Sequence, residues 1–239
     1  IIESFPKKTK FVIALGFKGS LVRQFIKLAY PKRNIKFVKI WPYKGKKSGL
    51  GLTLLKSKKF LKKEFIFISC DTLIKEKIKK TKYNWIGYSN IKARNQYRSI
   101  NFKKNQLINI NEKNIKFKDK FSYIGLAFIK DFKEFWDFTK KNYKFSKNQG
   151  EVFGLNKIVK NKKIFIKKFT WNDTGTLQMY EKTNKKYFKK NQPVILPKKN
   201  EFISFTNDNV IKYSSDKDFI KKRLKRLKIL KNFVPKVTG

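Results

Sequence analysis

The chain has no histidine and a single cysteine, Cys70. Serine and cysteine hydrolase triads and the usual zinc sites are thereby excluded. One cysteine also rules out a disulfide framework and fits a reducing compartment, so a cytoplasmic protein is expected. No apolar run approaches the ~20 residues of a membrane-spanning helix, and no signal-peptide pattern is read at the start. Alanine is scarce at 4 residues and arginine at 6, against 55 Lys and 20 Asn. A chain rich in Lys, Asn, Ile, Phe and Tyr reads as one written in AT-rich codons.

The net charge is nevertheless +45, from 61 basic and 16 acidic residues. Two origins fit: compositional drift, or a surface selected for polyanions. Lysines lie along the whole length rather than in clusters, and Arg, the usual base- and phosphate-fork donor, is rare, which weighs against nucleic acid as a partner. Hydrophobic residues at 40% and aromatics at 16% are ample for a core, so wholesale disorder is excluded.

Short apolar runs alternate with helical spacings. Lys10–Leu15, Asn34–Trp41 and Glu64–Cys70 read as strands, and Lys18–Ala29 and Leu50–Leu61 as helices between them. This order predicts right-handed βαβ crossovers, a mainly parallel sheet and an α/β fold. Further on, strands are expected at Trp85–Ser89, Gln96–Phe102, Leu107–Ile110, Phe121–Ile129 and Lys163–Phe169. Helices are expected after Asp131, over Gly150–Val159 and over Thr176–Tyr187. A first domain over 1–187 precedes a Pro-containing linker over 188–200. A β-hairpin around Asn207–Asn209 and a helix from Asp216 fill 201–239, a piece too small for its own core.

What remains for chemistry is carboxylate and metal. Asp71 follows EFIFISC and Asp173 follows IFIKKF, each just past the carboxyl end of a predicted strand, where α/β sheets present functional groups to ligands. Such a pair could hold Mg²⁺ through oxygen while substrate phosphates complete its shell. Each has a plainer reading: Asp71 as a helix or turn cap for Thr72–Lys79, and Asp173 as an Asx-turn before Gly175.

Six stretches, FVIALGFKGSLVRQFI, SGLGLTLL, FIFISCDTLI, YIGLAFI, QGEVFGLNKIV and WNDTGTLQMY, occur in this order between Lys10 and Tyr187. In this the chain resembles the sugar-phosphate nucleotidyltransferases, and CDT, YIGLAFIKDFKEFW and W-DTGT look most like members serving capsule or surface polysaccharides. The resemblance implies a Rossmann-like mixed sheet with flanking helices. It also implies Mg²⁺ on Asp71 and Asp173, a base or sugar pocket at Gly49 and Gly51, and sugar contacts from Gly125 and Glu151. Gly125 could equally be a strand kink, and Glu151 a solvated first-turn carboxylate favoured by the helix dipole. The family opens with a Gly-rich loop bearing Arg and Lys, which has no counterpart here, so about one βα unit of roughly 30 residues is expected to be missing. Phe202–Gly239 looks like the opening of a choline- or aminoglycoside-kinase-like lobe, with Lys212 of Val210-Ile211-Lys212 reaching ATP phosphates; in so Lys-rich a chain such a tripeptide also arises by chance.

The implied activity joins an NTP and a sugar 1-phosphate, or a similar phosphomonoester such as phosphocholine, with release of pyrophosphate. Two alternatives belong to other classes: a basic nucleic-acid-binding protein, and a catalytically inactive domain that binds a nucleotide sugar and regulates a fused kinase-like domain.

Overall fold

The computed structural model describes residues 1–78, 81–91, 96–113, 121–187, 200–205 and 210–237. The expected linker, save Asn200, and the expected turn at 207–209 lie outside them. The chain divides into two compact units, Ile1–Phe17 with Arg33–Phe188 and Lys18–Lys32 with Lys189–Gly239.

In the larger unit, β1 (Phe11–Leu15) and β2 (Ile35–Lys39) form a parallel pair, Phe11 opposite Ile35 and Leu15 opposite Lys39. Helix α1 (Gly19–Ala29), between them in sequence, belongs to the smaller unit. Next come α2 (Leu50–Ser57), β3 (Phe65–Ile68), β4 (Thr72–Ile74), β5 (Asn84–Ser89), β6 (Ile100–Lys103), β7 (Gln106–Ile110) and β8 (Ser122–Ile129). Three helices follow, α3 (Phe132–Lys141), α4 (Tyr143–Gln149) and α5 (Glu151–Ile158). The unit ends with β9 (Ile164–Lys168), β10 (Trp171–Asp173) and α6 (Leu177–Tyr187).

The main sheet has the order β3-β8-β5-β9-β7-β6. Strands β3, β5 and β9 run one way, with β8 and β7 opposed to them. This is the mixed α/β sheet with flanking helices that the resemblance implies; the parallel pairing expected from the alternating order is found at β1–β2 and at β5–β9. Strand β8 is its spine and is buried on both faces, which is why its sequence shows no polar alternation. On one face Ala127 and Ile129 pack with Phe135, Val152, Leu155 and Ile158 of α3 and α5. On the other, Ile124, Leu126 and Phe128 pack with Trp85, Phe169 and Trp171. Each such large apolar side chain, taken fully out of water, contributes about 1.5–3 kcal/mol.

Three local features depart from the pattern. Residues 72–74, where a cap would start a helix or turn, form β4, paired antiparallel to β10 with Thr72 opposite Asp173. Helix α4 is an extra pair of turns that carries little apolar periodicity. Asp131 precedes α3 as expected, but its carboxylate accepts from Asn84 Nδ2 (2.6 Å) and Lys162 Nζ (3.0 Å) instead of capping the helix.

In the smaller unit β11 (Glu201–Phe205) pairs antiparallel with β12 (Val210–Ser214) as the expected hairpin, and Phe25 of α1 meets Phe202 edge-on at 6.3 Å. Helix α7 (Lys217–Ile229) is capped by Asp216, which accepts the backbone N–H groups of Asp218 and Phe219. No helix among the described residues is long and apolar enough to cross a membrane.

Candidate active site

Ser69–Asp71 leaves β3 in a turn that is fastened to β8. Ser69 N–H donates to Gly125 O (2.9 Å), and the buried Thr72 hydroxyl donates to Ile124 O (2.6 Å). Gly125 sits at φ +66°, which L side chains rarely adopt, and a Cβ there would run into the Ser69 side chain. The turn thus holds Asp71 at the sheet's edge.

The β4–β10 ribbon carries Asp173 to the same place. Thr174 closes the arrangement: its N–H and its hydroxyl both donate to Asp71 O at 3.0 Å. Gly175 lies between the carboxylates. A Cβ on Gly175 would stand 3.1 Å from both Asp173 Oδ1 and Asp71 Oδ2, so these oxygens face one small space and are at most about twice that distance apart. The Asx-turn is also real, since Gly175 N–H donates to Asp173 Oδ1 (2.8 Å). Asp173 Oδ2 accepts from the Tyr97 hydroxyl at 2.7 Å. Helix α6 braces the ribbon: Lys186 Nζ donates to Asn172 Oδ1 (3.0 Å), and Asn172 Nδ2 to the Tyr187 hydroxyl (3.1 Å).

An all-oxygen pair around a cradle left open by glycine suits a hard divalent cation. Among the described residues no third acid, His or Cys joins it. Two protein ligands leave most of the coordination shell to water and phosphate, the usual arrangement for Mg²⁺.

Glu151 opens α5 and is 4% exposed, so it is buried rather than a solvated first-turn carboxylate. Burial pushes its carboxyl up to about 7, against the opposing pull of its helix-start backbone and of Arg98, Tyr123 and Lys113. Tyr123 of β8 is buried with it, and its phenol is pushed well up by burial and by Glu151. Among the described residues, Glu151 Oε2 and the Tyr123 hydroxyl have no hydrogen-bond partner of good geometry. Nearby charge comes from Arg98, ion-paired with Glu112 at 3.2 Å.

Gly49 lines an open pocket of about 410 Å³ at the ends of β1 and β2 with Ala14, Gly16, Phe17, Tyr43 and Leu50. Although about a quarter of the chain is Lys or Arg, no charged side chain among the described residues lines this pocket. Phe17 and Tyr43 approach at 6.1 Å, and Trp41 meets Tyr43 at 5.6 Å. Gly51 is elsewhere, buried against α4, where a Cβ would strike the Ser146 carbonyl. In the smaller unit Lys212 pairs with Glu201 at 2.6 Å and lies 5.2 Å over the Phe219 ring.

The structure therefore brings Asp71, Asp173 and Gly125 to one end of the sheet. It buries Glu151 beside Tyr123, gives Gly49 a pocket wall, and gives Gly51 a packing role. Tyr97, Tyr123, Phe17 and Tyr43 are the participants that sequence reasoning passes over. For Phe17 and Tyr43 the one available signal was their place just past predicted strand ends.

No protein-family model and no curated protein sequence matches the chain. Solved structures do match in fold. A Bacillus anthracis protein assigned as a glucose-1-phosphate thymidylyltransferase has a TM-score of 0.61 at 13% identity, over 73% of this chain and 74% of that one. The CTP:phosphocholine cytidylyltransferase of Streptococcus pneumoniae has a TM-score of 0.58 at 13% identity, over 74% and 77%. A UDP-glucose pyrophosphorylase has 0.57 at 14% identity, over 74% and 81%. The chain shares the mixed α/β fold of these nucleotidyltransferases.

Proposed function

We propose that the protein is a Mg²⁺-dependent nucleotidyltransferase that activates a sugar 1-phosphate, or a phosphomonoester such as phosphocholine, for surface polysaccharide synthesis. The observation that carries this reading is the convergence of Asp71 and Asp173 on the open cradle at Gly175, in a fold shared with enzymes named for such transfers.

A phosphate oxygen of the phosphomonoester attacks the α-phosphorus of the NTP in line. A new P–O bond forms as the bond to pyrophosphate breaks, and pyrophosphate leaves with the electron pair. The attacking oxygen is already anionic, so no protein nucleophile or strong base is needed, and a chain without histidine suffices. Mg²⁺, when bound, offsets charge on the α-phosphate and holds the two substrates together. Asp71 and Asp173 would hold it, kept in place by the Thr174 and Gly175 backbone.

The uncharged pocket at Gly49 suits the base, whose faces are flat and apolar, with Phe17 and Tyr43 as stacking surfaces. The sugar would meet Gly125 and Glu151. A carboxyl titrating near 7 is present in both forms at neutral pH, and can donate to or accept from a hydroxyl.

The test is Asp71→Asn. It removes one charge and almost no volume, so the fold should persist by circular dichroism while pyrophosphate release falls at least 100-fold. Turnover within a few-fold of the unaltered protein would refute the metal role.

A further inference from the structure

We infer that Tyr97 is a positioning residue for the metal site: its hydroxyl fixes Asp173, and so sets the affinity of the Asp71–Asp173 pair for a divalent cation. The inference rests on the metal reading above.

Asp173 is held at both oxygens. Gly175 N–H donates to Oδ1 at 2.8 Å and the Tyr97 hydroxyl to Oδ2 at 2.7 Å. Two donors on opposite oxygens fix the carboxylate plane, which one donor leaves free to rotate. Each donor takes one of the two lone pairs of its oxygen, so each oxygen keeps one, and the geometry selects which oxygen meets a cation. That oxygen is Oδ1, the one facing the Gly175 cradle and Asp71 Oδ2.

Tyr97 is itself held rigidly. Its ring packs edge-on against Trp171, with centroids 5.0 Å apart and planes at 72°. Trp171 lies two residues before Asp173 on β10, on the same face of the strand, and is buried in the aromatic cluster with Trp85 and Phe169. Ring and hydroxyl therefore both bear on β10, one at Trp171 and one at Asp173. A partner that orients a ligating carboxylate commonly governs 10–100-fold in metal affinity.

The experiment titrates the full chain with Mn²⁺ alone, followed by water-proton relaxation, in the unaltered protein and in Asp173→Asn, Tyr97→Phe and Phe169→Leu. The last loosens the same aromatic cluster without touching a carboxylate or its donors. Four results together are expected: the unaltered protein binds, Asp173→Asn does not, Tyr97→Phe binds about tenfold more weakly, and Phe169→Leu binds as the unaltered protein does. Thermal unfolding of Tyr97→Phe should stay closer to that of the unaltered protein than Phe169→Leu does. If Tyr97→Phe binds Mn²⁺ normally while Asp173→Asn does not, the role of Tyr97 is overturned and the metal site stands. Equal weakening in Phe169→Leu makes the effect one of packing and also overturns it. If the unaltered protein does not bind, or Asp173→Asn binds equally well, the metal reading falls and the inference with it.

Discussion

Replacing Glu151 with Gln should change how stability depends on pH, in a window set by the buried carboxyl. In the fold it titrates near 7, against an ordinary 4.5, because burial disfavours the charged form. Between those two values the native chain keeps the proton and the unfolded chain has released it. Folding there takes up a proton, so this group's contribution is full below about 4.5 and is lost as pH rises through 7. The difference corresponds to about 3 kcal/mol. Gln is nearly isosteric and never ionises, although its amide adds a buried donor that costs about 1 kcal/mol wherever it goes unmatched. Urea unfolding of both proteins from pH 4.5 to 8 gives the comparison, with the linear slope as a check on two-state behaviour. The variant should be equal or slightly weaker at pH 4.5 and about 2 kcal/mol more stable at pH 8. The change across the window matters more than any constant offset. Parallel profiles would mean that Glu151 ionises freely in the fold, and would refute the burial argument.

Gly51→Ala should destabilise by about 1–3 kcal/mol, because its Cβ would lie 2.6 Å from the Ser146 carbonyl carbon and backbone yields little; thermal unfolding reads this. Gly125→Ala should cost about 2 kcal/mol through its φ of +66° and its contact with Ser69, and unlike Gly51→Ala it should also weaken Mn²⁺ binding, since Ser69 leads into Asp71. Tyr43→Ala should weaken nucleotide binding about tenfold by calorimetry, in line with about 1–3 kcal/mol for stacking one base on an aromatic ring, and leave Mn²⁺ affinity unchanged.

Elements buried on both faces were plain in the sequence. FIFI of β3 and YIGLAFI of β8 are unbroken apolar runs because helices cover one side and an aromatic cluster the other. Helix α3 was legible from Phe132, Phe135 and Trp136 at helical spacing. The β4–β10 ribbon was not, since three residues are too few to show a period and the partners lie about a hundred positions apart. Helix α4 was equally opaque, because YKFSKNQ is mostly polar and its place depends on close approach to Gly49, which precedes α2, and to Gly51 within it. The two aspartates stood out by following strands, yet their convergence depends on Thr174 bonding back to Asp71, which no local pattern encodes. The charge of Glu151 suggested solvent; its place under β8 overrode that. Tyr97 carried no mark at all, since a tyrosine in an expected strand reads as packing.

The measurement that bears most directly on the central claim is pyrophosphate release. The full chain, with Mg²⁺, would be given each of the four NTPs against a panel of sugar 1-phosphates and phosphocholine. The account predicts release with one pairing that requires the phosphomonoester, stops when EDTA removes the metal, and is lost in both Asp71→Asn and Asp173→Asn. No release from any pairing, together with tight, steeply salt-dependent binding of RNA or DNA, would contradict it and make the +45 charge the functional feature.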